Sequence, residues 1–334
     1  MGAGGIIAMI TSGKTSMQLI SPIDHASEVR DLLEAGADEL YGGYVPAAWR
    51  EKFSLLTSIN QRTFAGAQID SADDLATIVS AAHAAGKRFL LTLNAPFYSD
   101  EQMPLLDGYV DEAIGIGVDG VILADIGLVR RLRRNFPGLE LHASTLAHLG
   151  NSAAIRCYVE AGVARVIFPR HIPVNEMAEI VVANPGVRFD CFFLVGKCPN
   201  TEGLCTFHHS SRDKIWPCEI PYQIEPFETS GDILEQAMER QRSWSRTNRR
   251  HGCGLCAVPH LVRTGLYGLK LVGRGAPTAQ KVANLQLAAT FQELAADEIE
   301  AGEYRRRAMI AHKARFGAGC SPNVCYYPEF YQGE

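Results

Sequence analysis

Residues 86–129 read GKRFLLTLNAPFYSDEQMPLLDGYVDEAIGIGVDGVILADIGLV. An apolar run, KRFLLTLNA at 87–95, is followed by an amphipathic helical pattern, MPLLDGYVDEAIGIG at 103–117. That pattern closes on a glycine, and a second apolar run, DGVILADI at 119–126, begins almost at once. Glycine after the last helical residue is a common C-terminal stop, and short aliphatic runs on either side of a helix read as strand, crossover helix and parallel strand. Both runs are nearly continuous in apolar residues rather than alternating, as strands buried on both faces require.

The same unit recurs in both directions. Further strand candidates are MQLISPI (17–23), DELYGG (38–43), LELHAST (139–145), ARVIFPR (164–170), VRFDCFFLV (187–195) and, much later, YGLKLVG (267–273). Between them lie helical stretches such as SADDLATIVSAAHAAG (71–86) and SAAIRCYVEAG (152–162), and a long helical pattern runs from Thr278 to about Ala301. Eight apolar strands, each followed by a helix, fit a closed parallel barrel better than an open doubly wound sheet. No G-x-G-x-x-G follows the first strand, which weakens a dinucleotide-binding reading. The expected fold is therefore an α/β (β/α)8 TIM-barrel-like domain with a cysteine-rich insertion between strands 7 and 8. Its expected limits are a flexible lead at 1–16, a barrel at 17–310 that includes the insertion 197–260, and a C-terminal tail at 311–334.

Composition narrows the function classes. The chain has 334 residues, 47% hydrophobic and 21% charged, with a net charge of −5, so it reads as an ordinary globular protein without a general attraction for nucleic acid. No apolar run reaches the roughly 18 residues of a membrane span. The opening MGAGGIIAMITSGKTSM lacks the basic start and cleavage pattern of a signal peptide. The expectation is a cytoplasmic protein whose nine cysteines are reduced thiols rather than a disulfide framework.

In such a barrel, chemistry gathers at the C-terminal ends of the strands. Those ends carry Tyr41 with Gly42 and Gly43, Asn94, Asp125, Ser144 with Thr145, Arg170 with His171, and the loop starting at Lys197. That loop opens the cysteine segment: Cys198, Cys205 and Cys218, then Cys253 and Cys256 as a C-x-x-C. Thiolates on irregular backbone suit a soft metal or an iron–sulfur cluster. A structural zinc site usually takes its ligands as two close pairs, and only Cys253 and Cys256 are so paired within the segment, which tilts the spacing toward a cluster. Cys320 and Cys325, among Gly and Pro, either supplement the cage or close the tail. Cys157 and Cys191, within helical and strand patterns, read as core residues.

Other residues carry chemistry by type. Arg170 and Arg274, at strand ends, are suited to clamp a carboxylate or phosphate, because guanidinium binds such groups bidentately. Lys270 reaches the same region by strand alternation. The segment RQRSWSRTNRRH (240–251) mixes Arg240, Arg242, Arg246, Arg249 and Arg250 with Trp244, a pattern that either binds nucleic acid or is a solvated helix face. Arg130–Arg134 and Arg305–Arg307 lie in amphipathic patterns and read as barrel exterior. Neither G-x-S-x-G nor H-E-x-x-H occurs.

The segments AGADELYGG (35–43), GKRFLLTLN (86–94), GVDGVILADIGLV (117–129), LELHAST (139–145) with Asn151, ARVIFPRHIPVNEMAEI (164–180), FFLVGKCPNTEGLC (192–205) and GLYGLKLVGR (265–274), in this order, resemble the collagenase-like peptidase U32 family from about Leu19 to Arg274. The resemblance implies hydroxylation rather than proteolysis: some members hydroxylate tRNA or ribosomal RNA, and others act in oxygen-independent ubiquinone hydroxylation with a [4Fe–4S] cluster on four cysteines. Carried over by motif, those ligands are Cys198, Cys205, Cys218 and Cys253, with Cys256 as the alternative fourth; zinc is the alternative metal. Two departures stand out. Val195-Gly196 replaces the family's usual His-Gly before the first cysteine, and Val272 replaces the usual acidic residue before the final Gly-Arg, which weakens a peptidase reading.

The chain ends about sixty residues beyond Arg274, a length that resembles the short members tied to ubiquinone hydroxylation. The expectation is thus an iron–sulfur hydroxylase or hydroxylase subunit acting on a small aromatic or isoprenoid, quinone-precursor-like substrate, with Arg170, Lys270, Arg274, Asn94, Asp125 and Ser144 at its site and a homologous partner subunit. RNA base hydroxylation, a cluster-bearing scaffold or electron-transfer subunit, and a metal-dependent peptidase are the alternatives.

Overall fold

The computed structural model describes residues 16–53, 58–62, 64–198, 202–205, 231–246, 252–297 and 299–331. Eight strands close into a barrel in chain order: β1 (Gln18–Pro22), β2 (Glu39–Gly42), β3 (Arg88–Leu93), β4 (Gly120–Leu123), β5 (Glu140–Ala143), β6 (Arg165–Ile167), β7 (Arg188–Leu194) and β8 (Gly268–Leu271). Every neighbouring pair is parallel, and β8 returns to β1 with Gln18 opposite Gly268 and Ile20 opposite Lys270. Closure leaves no strand edge exposed, and the strand residues are accordingly buried almost throughout, as the continuous apolar runs anticipate.

The helices are α1 (Val29–Glu34), α2 (Ala47–Lys52), α3 (Ala72–Ala84), α4 (Met103–Ile116), α5 (Ile126–Asn135), α6 (Ser152–Glu160), α7 (Val174–Ala183), α8 (Asp232–Arg246), the single turn α9 (Val258–Leu261), α10 (Thr278–Ala296) and α11 (Ala301–Phe316). In α5 the apolar face, Leu128, Val129 and Leu132, packs inward, while Arg131 makes a two-pronged pair with Asp107 of α4 at 2.7–2.9 Å. Arg306 and Arg307 pair with Glu303 on α11. Both arginine runs are barrel exterior, as read from the sequence.

The expected single helix from Thr278 to Ala301 is two helices. Glu300 starts α11 by accepting hydrogen bonds from the backbone N–H groups of Gly302 (2.8 Å) and Glu303 (2.9 Å), which gives the second helix its own N-cap; α11 then runs across residue 310. Cys191 is fully buried, whereas Cys157 is exposed on α6. The helical period around Cys157 points Ile155 inward instead.

One end of the barrel is sealed by charge. Arg165, the first residue of β6, is fully buried and donates to Asp190 of β7 (2.7 Å) and twice to Glu39 of β2 (3.0 and 2.8 Å). Its guanidinium also lies 4.1 Å from the Tyr267 ring centroid. Burial raises the pKa of Asp190 to about 6 against the pull of Arg165, whereas for Glu39 burial is overcome by Arg165 and Tyr267 and the carboxyl stays below its ordinary value. With this floor closed, ligand access falls to the opposite end.

Candidate active site at the barrel mouth

The mouth is lined by cations that the closure of the barrel forces together. Lys270 of β8 is buried, its Nζ 3.3 Å from the ring centroid of Tyr41 on β2, and among the described residues that Nζ has no hydrogen-bond partner. Burial lowers its pKa to about 7, with Asp190 opposing and Arg165 adding to the fall. Arg274, three residues beyond β8, donates to Thr92 Oγ1 at 2.9 Å and to the backbone carbonyl of Asn60. Its pKa is lowered to about 9 by burial and then by Arg62. Arg62 is lowered too, by burial first, with Arg170 adding repulsion and Tyr41 and Asp24 opposing. Arg170 lays its guanidinium 3.7 Å from the Phe192 ring centroid and donates from Nε to the Tyr326 hydroxyl at 3.4 Å.

Neutral and acidic groups fix these cations in place. Asn60 and Gln68 exchange hydrogen bonds at 2.8 and 2.9 Å, and Gln68 also donates to the Arg62 carbonyl at 2.7 Å, which ties down the loop after α2. A side chain at Gly43 would meet Thr92 Oγ1 at 2.7 Å and Asn60 Nδ2 at 2.9 Å, so glycine is what allows that loop to approach β3. Asp24, just past β1, accepts from the backbone N–H of Gly275 at 2.6 Å and from Lys281, anchoring the turn that carries Arg274. The Tyr41 hydroxyl donates to the Leu271 carbonyl at 2.7 Å.

Like charges whose pKa values are driven down by burial and by each other form a site that an anion stabilises. Several polar atoms here also have no hydrogen-bond partner among the described residues: Lys270 Nζ, Asn94 Oδ1, Thr145 Oγ1 and His148 Nδ1. Buried polar atoms are ordinarily satisfied, so such a set makes this face a candidate ligand site; Arg165 Nη2 and Asp190 Oδ1 at the floor lack partners in the same way. His148 sits at φ 54, a left-handed backbone uncommon outside glycine, with its ring 5.3 Å from that of His171.

Of the residues singled out in the sequence, Arg170, Lys270, Arg274 and Asn94 lie at this mouth. Asp125 and Ser144 are occupied elsewhere. The Asp125 carboxylate caps α5, accepting from Leu128 N–H (2.9 Å) and Tyr98 N–H (2.9 Å), and Ser144 Oγ accepts from Leu146 N–H (3.2 Å). Arg62, Asn60, Thr92 and Asp24 were not anticipated as site residues. Arg62 and Asn60 lie in a loop outside every strand end, and only the fold brings them over the barrel.

The cysteines divide. Cys198 follows β7 and interacts electrostatically with Arg62 and Tyr326 at the mouth. Cys205 follows a short turn, Glu202–Leu204, that packs on the turn after β5, where Gly203 abuts His148. Both are half-buried cysteines outside any disulfide, the donor chemistry that a cluster needs. Cys218 and the arginine-rich segment beyond residue 246 lie outside the described residues. Cys253 is buried, and its backbone bridges both Leu194 at the end of β7 and Cys325. Among the described residues no three His, Cys, Asp or Glu side chains already surround one point.

The two departures from the U32 pattern meet in space. A Cβ on Gly196 would sit 2.8 Å from Val272 Cγ1, and the Val195 carbonyl accepts from the Tyr326 hydroxyl. Val195 and Val272 thus make the adjoining ends of β7 and β8 apolar together.

Fold and site define a parallel α/β barrel whose mouth combines a buried cationic pocket with thiols on the loop after β7. The sequence profile of peptidase family U32 matches residues 24–323, and the chain belongs to that family. It is 28% identical over 189 residues to tRNA hydroxylation protein P of Haemophilus influenzae, covering 56% of this chain and 38% of that one. It is 23% identical over 282 residues to tRNA hydroxylation protein P1 of Bacillus subtilis, covering 80% and 62%. To the 23S rRNA 5-hydroxycytidine C2501 synthase of Escherichia coli it is 25% identical over 224 residues, covering 65% and 31%. The chain therefore spans less than two thirds of the length of each of these relatives.

These relatives overturn the quinone-precursor expectation, since they are named for hydroxylation of tRNA and rRNA. That expectation rested on chain length, and length carries no information about what a barrel mouth binds. Among the described residues no helix is long and apolar enough to cross a membrane.

Proposed function

We propose that this protein takes part in hydroxylating a base in RNA. The observation that carries the reading is the mouth itself, where Arg62, Arg170, Arg274 and Lys270 converge in a buried pocket, suited to the phosphate of a nucleotide or the carboxylate of a co-substrate. Relatives named for tRNA and rRNA hydroxylation supply the substrate class.

In this reading Arg274, braced by Thr92 and Asn60, and Arg170, stacked on Phe192, hold the anionic group and orient the reacting part toward Lys270 and Tyr41. Lys270, with a pKa near 7, is able to give or take a proton at Nζ near neutral pH. A [4Fe–4S] cluster on Cys198, Cys205, Cys218 and Cys253, with Cys256 as the alternative fourth donor, is part of the proposal, and when bound it would supply electron transfer or a Lewis-acidic iron. The Cys198 thiol lies within electrostatic reach of the cationic pocket.

The test is nucleoside mass spectrometry of tRNA and rRNA from cells of the source organism with the gene deleted, complemented, or complemented with Arg274→Ala. The expected result is one pyrimidine nucleoside, heavier than its parent by one oxygen atom, that disappears on deletion and returns only with the unaltered gene. Identical nucleoside profiles in all strains would refute the proposal.

A further inference from the structure

The C-terminal segment beyond α11 folds back onto the end of β7. The Cys253 N–H donates to the Val324 carbonyl at 2.9 Å, and the Cys253 carbonyl accepts from Tyr326 N–H at 2.8 Å. Lys197 Nζ donates to the Pro322 carbonyl at 3.2 Å and to the Cys325 carbonyl. Further along, the Glu329 carboxylate accepts from Val174 N–H at 3.0 Å, and Phe330 stacks on His260 with ring centroids 4.2 Å apart. Held in this way, Tyr326 and Tyr327 are buried. The Tyr327 hydroxyl donates to the Phe192 carbonyl at 2.6 Å, and the Tyr326 hydroxyl donates to the Val195 carbonyl. The Tyr326 oxygen also accepts from Arg170 Nε at 3.4 Å, and its ring lies within 13° of parallel to that of Phe192, on which Arg170 is stacked.

We propose that Tyr326 is a positioning residue of the mouth, its hydroxyl aiming the Arg170 guanidinium at the anionic group of the substrate. The inference rests on the proposed function in taking Arg170 as one of the cations that bind that group. The face of Phe192 sets the plane of the guanidinium, but a ring face does not set its rotation within that plane. A hydrogen bond at Nε supplies the second constraint. The phenol has a single proton; the Val195 carbonyl takes it, which leaves the oxygen as an acceptor toward Arg170, the role a cation requires. Packing fixes that oxygen in turn, since Tyr326 is 3% exposed and a Cβ on Gly252 would meet its Cε2 at 3.0 Å. The chain of bonds from Arg170 through Tyr326 to Val195 ties the turn after β6 to the end of β7, three residues before Cys198. An arginine already held in its binding geometry loses less side-chain freedom when it takes an anion. The match to the family profile ends at residue 323, so Tyr326 lies outside the positions by which the family is recognised.

The experiment compares the full unaltered chain with Tyr326→Phe, Tyr327→Phe, Arg170→Ala and Tyr326→Phe/Arg170→Ala. Each phenylalanine keeps the ring packing and removes one hydroxyl that donates to a carbonyl of the β7 end, so Tyr327→Phe is the matched control without the link to Arg170. Affinity for a fluorescein-labelled single-stranded RNA is read by fluorescence anisotropy. Tyr326→Phe should weaken it about fivefold, the worth of one ordinary hydrogen bond. Tyr327→Phe should stay within about twofold, and Tyr326→Phe should add nothing once Arg170 is alanine, as coupled residues do in a double-mutant cycle. Equal losses in the two tyrosine variants, or a Tyr326→Phe loss that persists in the Arg170→Ala background, overturn the proposal. A second measurement makes no use of RNA: phenylglyoxal modification of Arg170, followed by peptide mass spectrometry, should run about threefold faster or more in Tyr326→Phe than in the unaltered chain or Tyr327→Phe, by the same loss of one bond. Equal rates overturn the positioning role even in a protein that binds RNA. Failure of the unaltered chain to bind RNA would count against the proposed function alone.

Discussion

Replacing Lys270 with methionine should stabilise the protein while disabling the mouth. Lys270 is 94% buried and its Nζ has no hydrogen-bond partner among the described residues. The fall of its pKa from 10.5 to about 7 makes the charged form less favourable in the folded than in the unfolded chain by about 5 kcal/mol, at about 1.4 kcal/mol per pH unit. Methionine fills similar volume without charge, but it also removes the help that Lys270 gives Asp190, so a net gain of about 2–4 kcal/mol is expected at pH 6. The sign with pH follows from proton counting. Below about pH 7 lysine is charged in both states and the folded protein bears the whole cost. Between about 7 and 10.5 the unfolded chain binds more protons than the folded one, so wild-type stability rises with pH, and above 10.5 the cost is gone. Urea unfolding of both proteins at pH 6, 8 and 10 measures this as a midpoint difference that shrinks with pH, starting near 1 M for a slope of about 3 kcal/mol per M. A Lys270→Met protein less stable than wild type at pH 6, or a gap that does not change with pH, would refute the reasoning.

The remaining predictions probe other parts of the frame. Arg165→Met strands Glu39 and Asp190 inside the barrel floor and should cost about 3–5 kcal/mol in chemical unfolding; a loss below 1 kcal/mol would show that the network is not needed. His142 is buried beside Glu140, and burial lowers its pKa to about 4. Wild type should therefore lose up to about 3 kcal/mol more than His142→Leu as pH falls from 6.5 to 4, and parallel pH profiles would count against it. Arg274→Lys cannot reach both Thr92 and the Asn60 carbonyl while also gripping an anion, so affinity for an RNA fragment should fall by about tenfold or more, read by fluorescence anisotropy; unchanged affinity would remove Arg274 from the site. Asp125→Ala, which loses only a helix cap and the Tyr98 contact, should cost about 1–2 kcal/mol and leave RNA affinity intact.

The mouth also shows how the strain of function is distributed. Among the described residues Lys270 Nζ has no hydrogen-bond partner and Arg274 donates to the neutral oxygens of Thr92 and Asn60, and the frame that holds them is built from other groups: the Asn60–Gln68 exchange, the Asp24 anchor and the close approach at Gly43. Arg274 and Lys270 are held by neighbours that do not neutralise them.

The sequence by itself determined the barrel. Most βα units are local signals, an apolar run, an amphipathic helix and a glycine stop within a few tens of residues, the insertion after β7 being the exception, and eight apolar strands leave few other ways to bury both faces of every strand. It also placed Arg170, Lys270 and Arg274 at the C-terminal ends of the strands, because strand alternation and strand termini are local too. The function of Asp125 and Ser144 as caps could have been read from their position before a helix, where Asp and Ser bond to backbone N–H groups. Only the tertiary structure decided the rest. Arg62 and Asn60 reach the mouth by packing against β3 and the turn after β8, and Cys253 meets Cys325 across seventy-two residues of chain. Such contacts are set by where a closed barrel brings its loops, a property of the whole chain that no window of sequence contains.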